Sequence, residues 1–113
     1  MAWDSRKFGP SRKGRTVVLE SAGRLVGTGS IVGGHIEAVF VQPSLHGRGL
    51  GKAIMAHLEA IGRDNGFTGF TLDATTIARA FYESLGYVVL EAASAPVANG
   101  KTLDYFRMAK QVG

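Results

Sequence analysis

Three glycines at alternate positions, Gly47, Gly49 and Gly51, interleave with Arg48, Leu50 and Lys52 in the run that begins at His46. They fall between an apolar, strand-like run and a helix-like one. At such a place backbone N–H groups lack partners and the positive end of a helix dipole faces outward. Glycine removes the Cβ atoms that keep a diphosphate at a distance and admits positive φ, so successive N–H groups can turn inward as a nest. Arg48 and Lys52 add positive charge. The chemistry open to this stretch is phosphate binding; the competing reading is a glycine turn that only lets helix and strand pack closely. Spacing rejects two common phosphate motifs. GxxxxGK[ST] requires Gly at His46 and Ser or Thr at Ala53, and GxGxxG requires Gly at Lys52.

The elements that must position this run are legible around it. Thr16–Glu20 and Arg24–Val32 are β-branched runs joined by Ser21-Ala22-Gly23, and a second turn stands at Gly33-Gly34. His35–Val41 alternates, with Ile36, Ala38 and Phe40 on one face and His35, Glu37, Val39 and Val41 on the other, until Pro43 stops strand pairing. From Gly49 to Asn65 the period becomes helical through Leu50, Ile54, His57, Leu58 and Ile61, and Asn65-Gly66 supplies a stop. Phe70–Asp73 reads as a buried strand, and Thr75 or Thr76 offers an N-cap for a helix that carries Ile77, Phe81 and Leu85 inward and ends at Gly86. Tyr87–Ala92 and Thr102–Lys110 read as a closing antiparallel hairpin. The order is three strands, helix, strand, helix, two strands. A strand-helix-strand unit from Glu37 to Asp73 calls for a right-handed parallel crossover, so the expected class is α+β with a mixed, mostly antiparallel sheet and two helices.

With those elements in place, the sequence resembles the GCN5-related N-acetyltransferase (GNAT) family, whose acyl-CoA loop is written [RQ]xxGx[GA]. Here the loop stands as His46-Gly47-Arg48-Gly49-Leu50-Gly51, after Glu37–Pro43, which resembles the family's fourth strand. Asp73–Val89 resembles the strand end, helix and aromatic-rich strand that follow in the family. Element order is similar from about Val17 to Lys110. The resemblance implies an acyl-CoA N-acyltransferase-like fold in a short form, because the family's first strand and first two helices, which wall the acceptor cleft, have no counterpart in residues 1 to 15.

The resemblance also implies direct transfer of acetyl from acetyl-CoA, as acyl-donor substrate, to an amine, with no covalent enzyme intermediate and no metal. The amine must lose a proton, the carbonyl oxygen must be polarised and the departing thiolate must gain a proton. In the family a tyrosine at the position of Tyr82 reaches the sulfur. Tyr82 follows the inward-facing Phe81 and so is expected to point off the core side; the alternative is a packing tyrosine. Some members use a glutamate at the position of Glu37, expected on the same face as Val41, and the alternative is a solvated strand carboxylate. Val41 is expected to offer its N–H to the thioester oxygen, with Val39 and Phe40 beside it along the pantetheine. Gly47, Arg48, Gly49, Leu50, Gly51 and Lys52 are expected at the phosphates. Thr75 stands where many members have Asn against the cofactor, or serves as an N-cap. Phe40 and Phe81 also suit a core. His46 either touches a phosphate or is exposed, and His57 suits helix packing.

Composition sets the outer limits. At 113 residues the chain fits one core, read as a basic arm over 1–15 and a single domain over 16–113. The absence of cysteine excludes disulfides and thiol catalysis, and His35, His46 and His57 lack metal-ligand spacing. The start has no apolar core for export and no run of apolar residues is long enough to span a membrane, so a cytoplasmic protein is expected. A net charge of +4 favours polyanionic ligands. Arg6, Lys7, Arg12, Lys13 and Arg15 crowd the arm, which is either solvated or, with Trp3 and Phe8 interleaved as stacking groups, nucleic-acid-associated. A non-catalytic acyl-CoA-binding module is a further alternative. A homodimer is expected, in which a second subunit supplies the missing wall.

Overall fold

Two glycines in the middle of a strand decide where the long helix of this protein sits. The computed structural model describes residues 4–11 and 14–111, which fall in two units, Met1–Thr68 and Gly69–Gly113. In the first unit β1 (Asp4–Ser11), β2 (Gly14–Ser21), β3 (Arg24–Val32) and β4 (His35–Val41) form an antiparallel meander. A 3₁₀ turn at Pro43–Leu45 and helix α1 (Leu50–Asp64) follow. Val17 and Leu19 of β2, Ile31 of β3 and Ile36 of β4 are buried, as period-two alternation over one covered face requires, and Val26 is buried at the register shift between β2 and β3, outside that alternation.

Helix α1 lies on that face against β2, β3 and β4. A Cβ at Gly29 would stand 2.7 Å from Ile54 Cγ2 and 2.9 Å from Leu58 Cδ1, and one at Gly27 would stand 2.8 Å from Ile54 Cδ1. The helix therefore rests on bare strand backbone, closer than any side chain allows. Ile54 and Leu58 are wholly buried by this contact, worth about 1.5–3 kcal/mol each relative to exposure. The buried stripe runs through Leu50, Ile54, Met55, Leu58, Glu59 and Gly62. It is rotated from the stripe expected from the sequence: His57 is exposed and Ile61 only half-buried, while Met55, Glu59 and Gly62 join Leu50, Ile54 and Leu58 on the buried side. Helix length and stop agree with the sequence, since Asn65 Nδ2 donates to the Ile61 carbonyl at 2.8 Å and Gly66 follows.

Residues 1–15, expected as a basic arm, include strand β1, which pairs with β2 from Asp4↔Glu20 to Ser11↔Gly14. Charge and Pro10 conceal it in the sequence. Both are features an outer strand admits, because its outward N–H and C=O groups need no partner strand. Trp3, Arg12 and Lys13 lie outside the described residues, and so do the readings placed on them.

In the second unit β7 (Thr102–Gln111) runs antiparallel to both β5 (Gly69–Thr75) and β6 (Val88–Pro96). Phe70, Leu72 and Ala74 alternate into the core with Met108 opposite Leu72. The closing hairpin is as expected. Helix α2 spans only Arg79–Ser84, so Ile77 lies in the preceding turn and is 95 % exposed. The class is α+β with two helices, as the sequence indicates.

Candidate functional site

The glycine run emerges from a turn that is tied down on the strand side and open on the helix side. Gln42 donates its N–H to the Val26 carbonyl (2.9 Å), Leu45 to Gln42 (2.9 Å) and His46 to Pro43 (3.2 Å). Gly47 and Gly49 then adopt φ of +83° and +78°, the left-handed region that a side chain resists. Ala53 donates to the Gly49 carbonyl at 3.0 Å, which leaves the N–H groups of Leu50, Gly51 and Lys52 ahead of it without an intrahelical acceptor. No side chain caps α1 and no acidic residue stands in its first turn. Leu50 is buried and anchors the turn, whereas Arg48 and Lys52 are exposed. A Cβ built at Gly47 or Gly49 would meet no described atom within 4 Å. Open space, uncommitted N–H donors, a helix dipole and two cations fit a diphosphate.

Upstream, β4 departs from the regular alternation expected of it. Pairing runs Gly27↔Val41 and Thr28↔Phe40, then resumes at Ser30↔Glu37, so Gly29 faces both Ala38 and Val39. This is a β-bulge, with Ala38 at φ +57°. The extra residue reverses the faces beyond it. Val39 and Val41 fall on the α1 side, their Cγ2 atoms 3.4 and 3.6 Å from where Cβ atoms of Gly29 and Gly27 would be. Glu37 and Phe40 take the other face, Glu37 exposed and Phe40 48 % exposed. Glu37 and Val41 therefore do not share a face, and Phe40 is not a core residue; the bulge is the physical reason for both corrections. Val41 is nevertheless well placed through its backbone. Because Gln42 bonds to Val26, Gly27 and Val41 form a non-hydrogen-bonded pair, and the N–H and C=O of Val41 point away from β3. His46 Nε2 lies 2.9 Å from the Val41 carbonyl oxygen.

In the second unit the remaining two candidates have environments of their own. Thr75, exposed at the end of β5, accepts the N–H of Ala78 on its hydroxyl at 3.3 Å and on its carbonyl at 3.1 Å. This is not the N-cap expected at Thr75 or Thr76: α2 begins at Arg79 after Ala78, too late for either threonine to cap it, and no side chain caps it. Tyr82 is the buried residue of α2, 8 % exposed, while Phe81 is half-buried. That reverses the expectation, because α2 begins too late for Ile77, Phe81 and Leu85 to form its inner face. The Tyr82 ring stacks edge-on with Phe81 (5.1 Å) and with buried Tyr87 (6.1 Å). Burial pushes its hydroxyl above the ordinary value near 10.

Sequence reasoning missed Gly29, which serves both the bulge and the helix seat, and the His46–Val41 bond. A signal for the first was present: Gly27 and Gly29 are two apart, on one face of a strand.

The sequence profile of the family described as Acetyltransferase (GNAT) domain matches residues 5–112. A glucosamine 6-phosphate N-acetyltransferase of Trypanosoma brucei brucei is 38% identical over 79 residues, covering 60% of this chain and 54% of that protein. The crystal structure of a GCN5-related N-acetyltransferase of Rhodopseudomonas palustris is similar with a TM-score of 0.80 at 30% identity, over 86% of this chain and 61% of that one. The structure of yncA from Salmonella typhimurium with its cofactor acetyl-CoA has a TM-score of 0.74 at 24% identity, over 88% of this chain and 65% of that one. The chain thus spans little more than half the length of that curated relative.

Proposed function

Because the chain belongs to the GCN5-related N-acetyltransferase (GNAT) family, we propose that it transfers an acetyl group from acetyl-CoA directly to a primary amine. The observation that carries this reading is the start of α1, where two left-handed glycines open onto free space beside uncapped N–H donors. The N–H groups from Gly47 to Gly51, with Arg48 and Lys52, hold the diphosphate, and Leu50 anchors them from below. Val39, Phe40 and Val41 line the pantetheine arm.

Val41 donates its N–H, which lies in the plane of the sheet, to the thioester oxygen as negative charge develops there. Glu37, from the face opposite α1, takes the proton of the attacking amine through a water. The new N–C bond forms as the C–S bond breaks, and the thiolate gains the proton that the Tyr82 hydroxyl supplies. A tyrosine is protonated at neutral pH in any case, and burial raises Tyr82 further above its ordinary value. Thr75 holds the turn leading to α2 in shape.

The test is turnover on a panel of amines with acetyl-CoA. Tyr82→Phe is expected to lower kcat by about 100-fold and Glu37→Gln by about 10-fold or more, the scale of positioned proton transfer, with acetyl-CoA affinity retained. Unchanged kcat in both variants on a good acceptor would remove these roles. Tight binding without turnover on any amine would favour the non-catalytic module.

The proposal extends to a cytoplasmic homodimer, and cell fractionation checks the compartment. No helix among the described residues is long and apolar enough to cross a membrane. Within its unit β6 is the outer strand, with Val88 60% and Leu90 58% exposed, an edge suited to a second copy. Light scattering that shows only monomer at micromolar concentration would exclude the dimer.

A further inference from the structure

His46 departs from the Arg or Gln of the motif it opens, and its ring is already engaged. A carbonyl oxygen only accepts, so in the 2.9 Å contact the His46 ring donates its Nε2–H to Val41. The carbonyl is available because Val41 turns both of its backbone groups away from β3. Three backbone bonds, Gln42 to Val26, Leu45 to Gln42 and His46 to Pro43, already fold the chain between the two residues. The side-chain bond closes a ring whose ends are the last residue of β4 and the residue just before the first left-handed glycine. Past His46 no Cβ at Gly47 or Gly49 presses on described atoms. The glycines are therefore held from their two ends, by buried Leu50 and the Ala53–Gly49 bond on the helix side and by His46 on the strand side.

We infer that His46 is a positioning residue: it ties the phosphate cradle to the end of β4 and so fixes the N–H groups of Gly47 to Gly51 relative to the N–H of Val41. Its Nε2 hydrogen is committed to the protein and not to a phosphate. The inference rests on the acetyl-CoA reading above and deepens it, because one side chain then governs both the diphosphate end and the thioester end of the donor site. A side chain that only touched phosphate would act on the first end alone.

The experiment is calorimetric titration of the wild-type chain, His46→Ala and His46→Gln with two probes. One is acetyl-CoA, and the other is S-acetylpantetheine, which keeps the thioester and amide arm but lacks the nucleotide diphosphate. His46→Ala is expected to weaken both probes, each by about 3- to 10-fold, the scale of one net hydrogen bond. His46→Gln, whose side-chain amide can donate over a similar reach, is expected to recover most of the loss for both. Without ligand, nitrogen NMR of the wild-type ring is expected to show hydrogen on Nε2, and amide exchange at Gly47 to Gly51 is expected to quicken in His46→Ala. A loss confined to acetyl-CoA means a direct phosphate contact and overturns the inference. So does wild-type binding that His46→Ala leaves unchanged for both probes. Failure of the wild-type chain to bind acetyl-CoA overturns the donor reading itself, whatever the NMR shows.

Discussion

Two turns carry this chain from a strand into a helix, and although neither helix has a side-chain cap or an acidic residue in its first turn, the chain before them differs. Between β4 and α1 no side chain caps the helix, its first turn holds no carboxylate, and the glycines before it open onto space. Between β5 and α2 the hydroxyl and carbonyl of Thr75 both receive the N–H of Ala78, and the helix that follows buries a tyrosine. Helix starts leave N–H donors that something must satisfy. The N–H groups at the start of α2 stay uncapped as well, Thr75 taking only that of Ala78 before it; of the two turns, the first alone has left-handed glycines that open onto space beside the uncapped donors. With a helix dipole and two cations behind them, the ligand they favour is an anion. Support differs as well. Helix α1 has 15 residues seated on Gly27 and Gly29, and α2 has six. A glycine-opened start on a long, firmly seated helix suits a ligand better than a glycine-free start on a helix of six residues.

The largest expected effect breaks the open turn. Gly49→Val puts a β-branched residue at φ +78°, which costs on the order of 1–2 kcal/mol for any side chain and more for valine. It also fills the space beside the uncapped donors. Affinity for CoA and acetyl-CoA is expected to fall together, by about 100-fold in calorimetry, while circular dichroism confirms the fold. Retained affinity would reduce the glycine to a turn former and erase the contrast between the two turns.

A smaller effect is expected from the closed turn. Thr75→Ala removes the hydroxyl that accepts from Ala78 and, because the Thr75 carbonyl shares that N–H, is expected to lower stability by only about 0.5 kcal/mol in urea unfolding, with Thr75→Ser near wild type. A tenfold loss of acetyl-CoA affinity at unchanged stability would instead assign that hydroxyl to the ligand, as the resemblance to the family first implied, and the second turn would not be closed.

What the sequence made legible follows the same division. The glycine run, the helix after it and the hairpin after α2 rest on local signals: spacing, helical period and turn residues. They were readable for that reason. The faces of β4 were not, because the residues at the bulge, Ala38 and Val39, are small or apolar and leave the alternation looking intact; only the pairing with Gly29 reveals the extra residue. Strand β1 was hidden because charge and proline mark an outer strand as readily as a solvated arm. The faces of α2 were misjudged because a helix of six residues gives a period too little length to be read, so Phe81 and Tyr82 exchanged places. The His46–Val41 bond joins residues five apart across a 3₁₀ turn, and no periodicity announces it.

The smallest effect belongs to the buried tyrosine beyond the closed turn, and it sharpens the comparison because it depends on Tyr82 being sheltered by protein. In an unfolded chain a tyrosine loses its proton near pH 10. In the folded protein burial disfavours the phenolate and moves Tyr82 above that value. Between the two values the folded state holds a proton that the unfolded state has released, so stability falls as pH rises. The contribution is therefore whole below about pH 10 and is lost as pH climbs through the folded value. Because the chain holds two other tyrosines, Tyr87 and Tyr105, the measurement is a difference: urea midpoints from pH 9 upward for the wild-type chain and for Tyr82→Phe. The wild-type curve is expected to fall more steeply above pH 10, and the variant to lack that added slope. Parallel curves would mean that the Tyr82 hydroxyl is as well solvated in the folded chain as in the unfolded one, and the sheltered setting from which it is proposed to give up a proton would be lost with it.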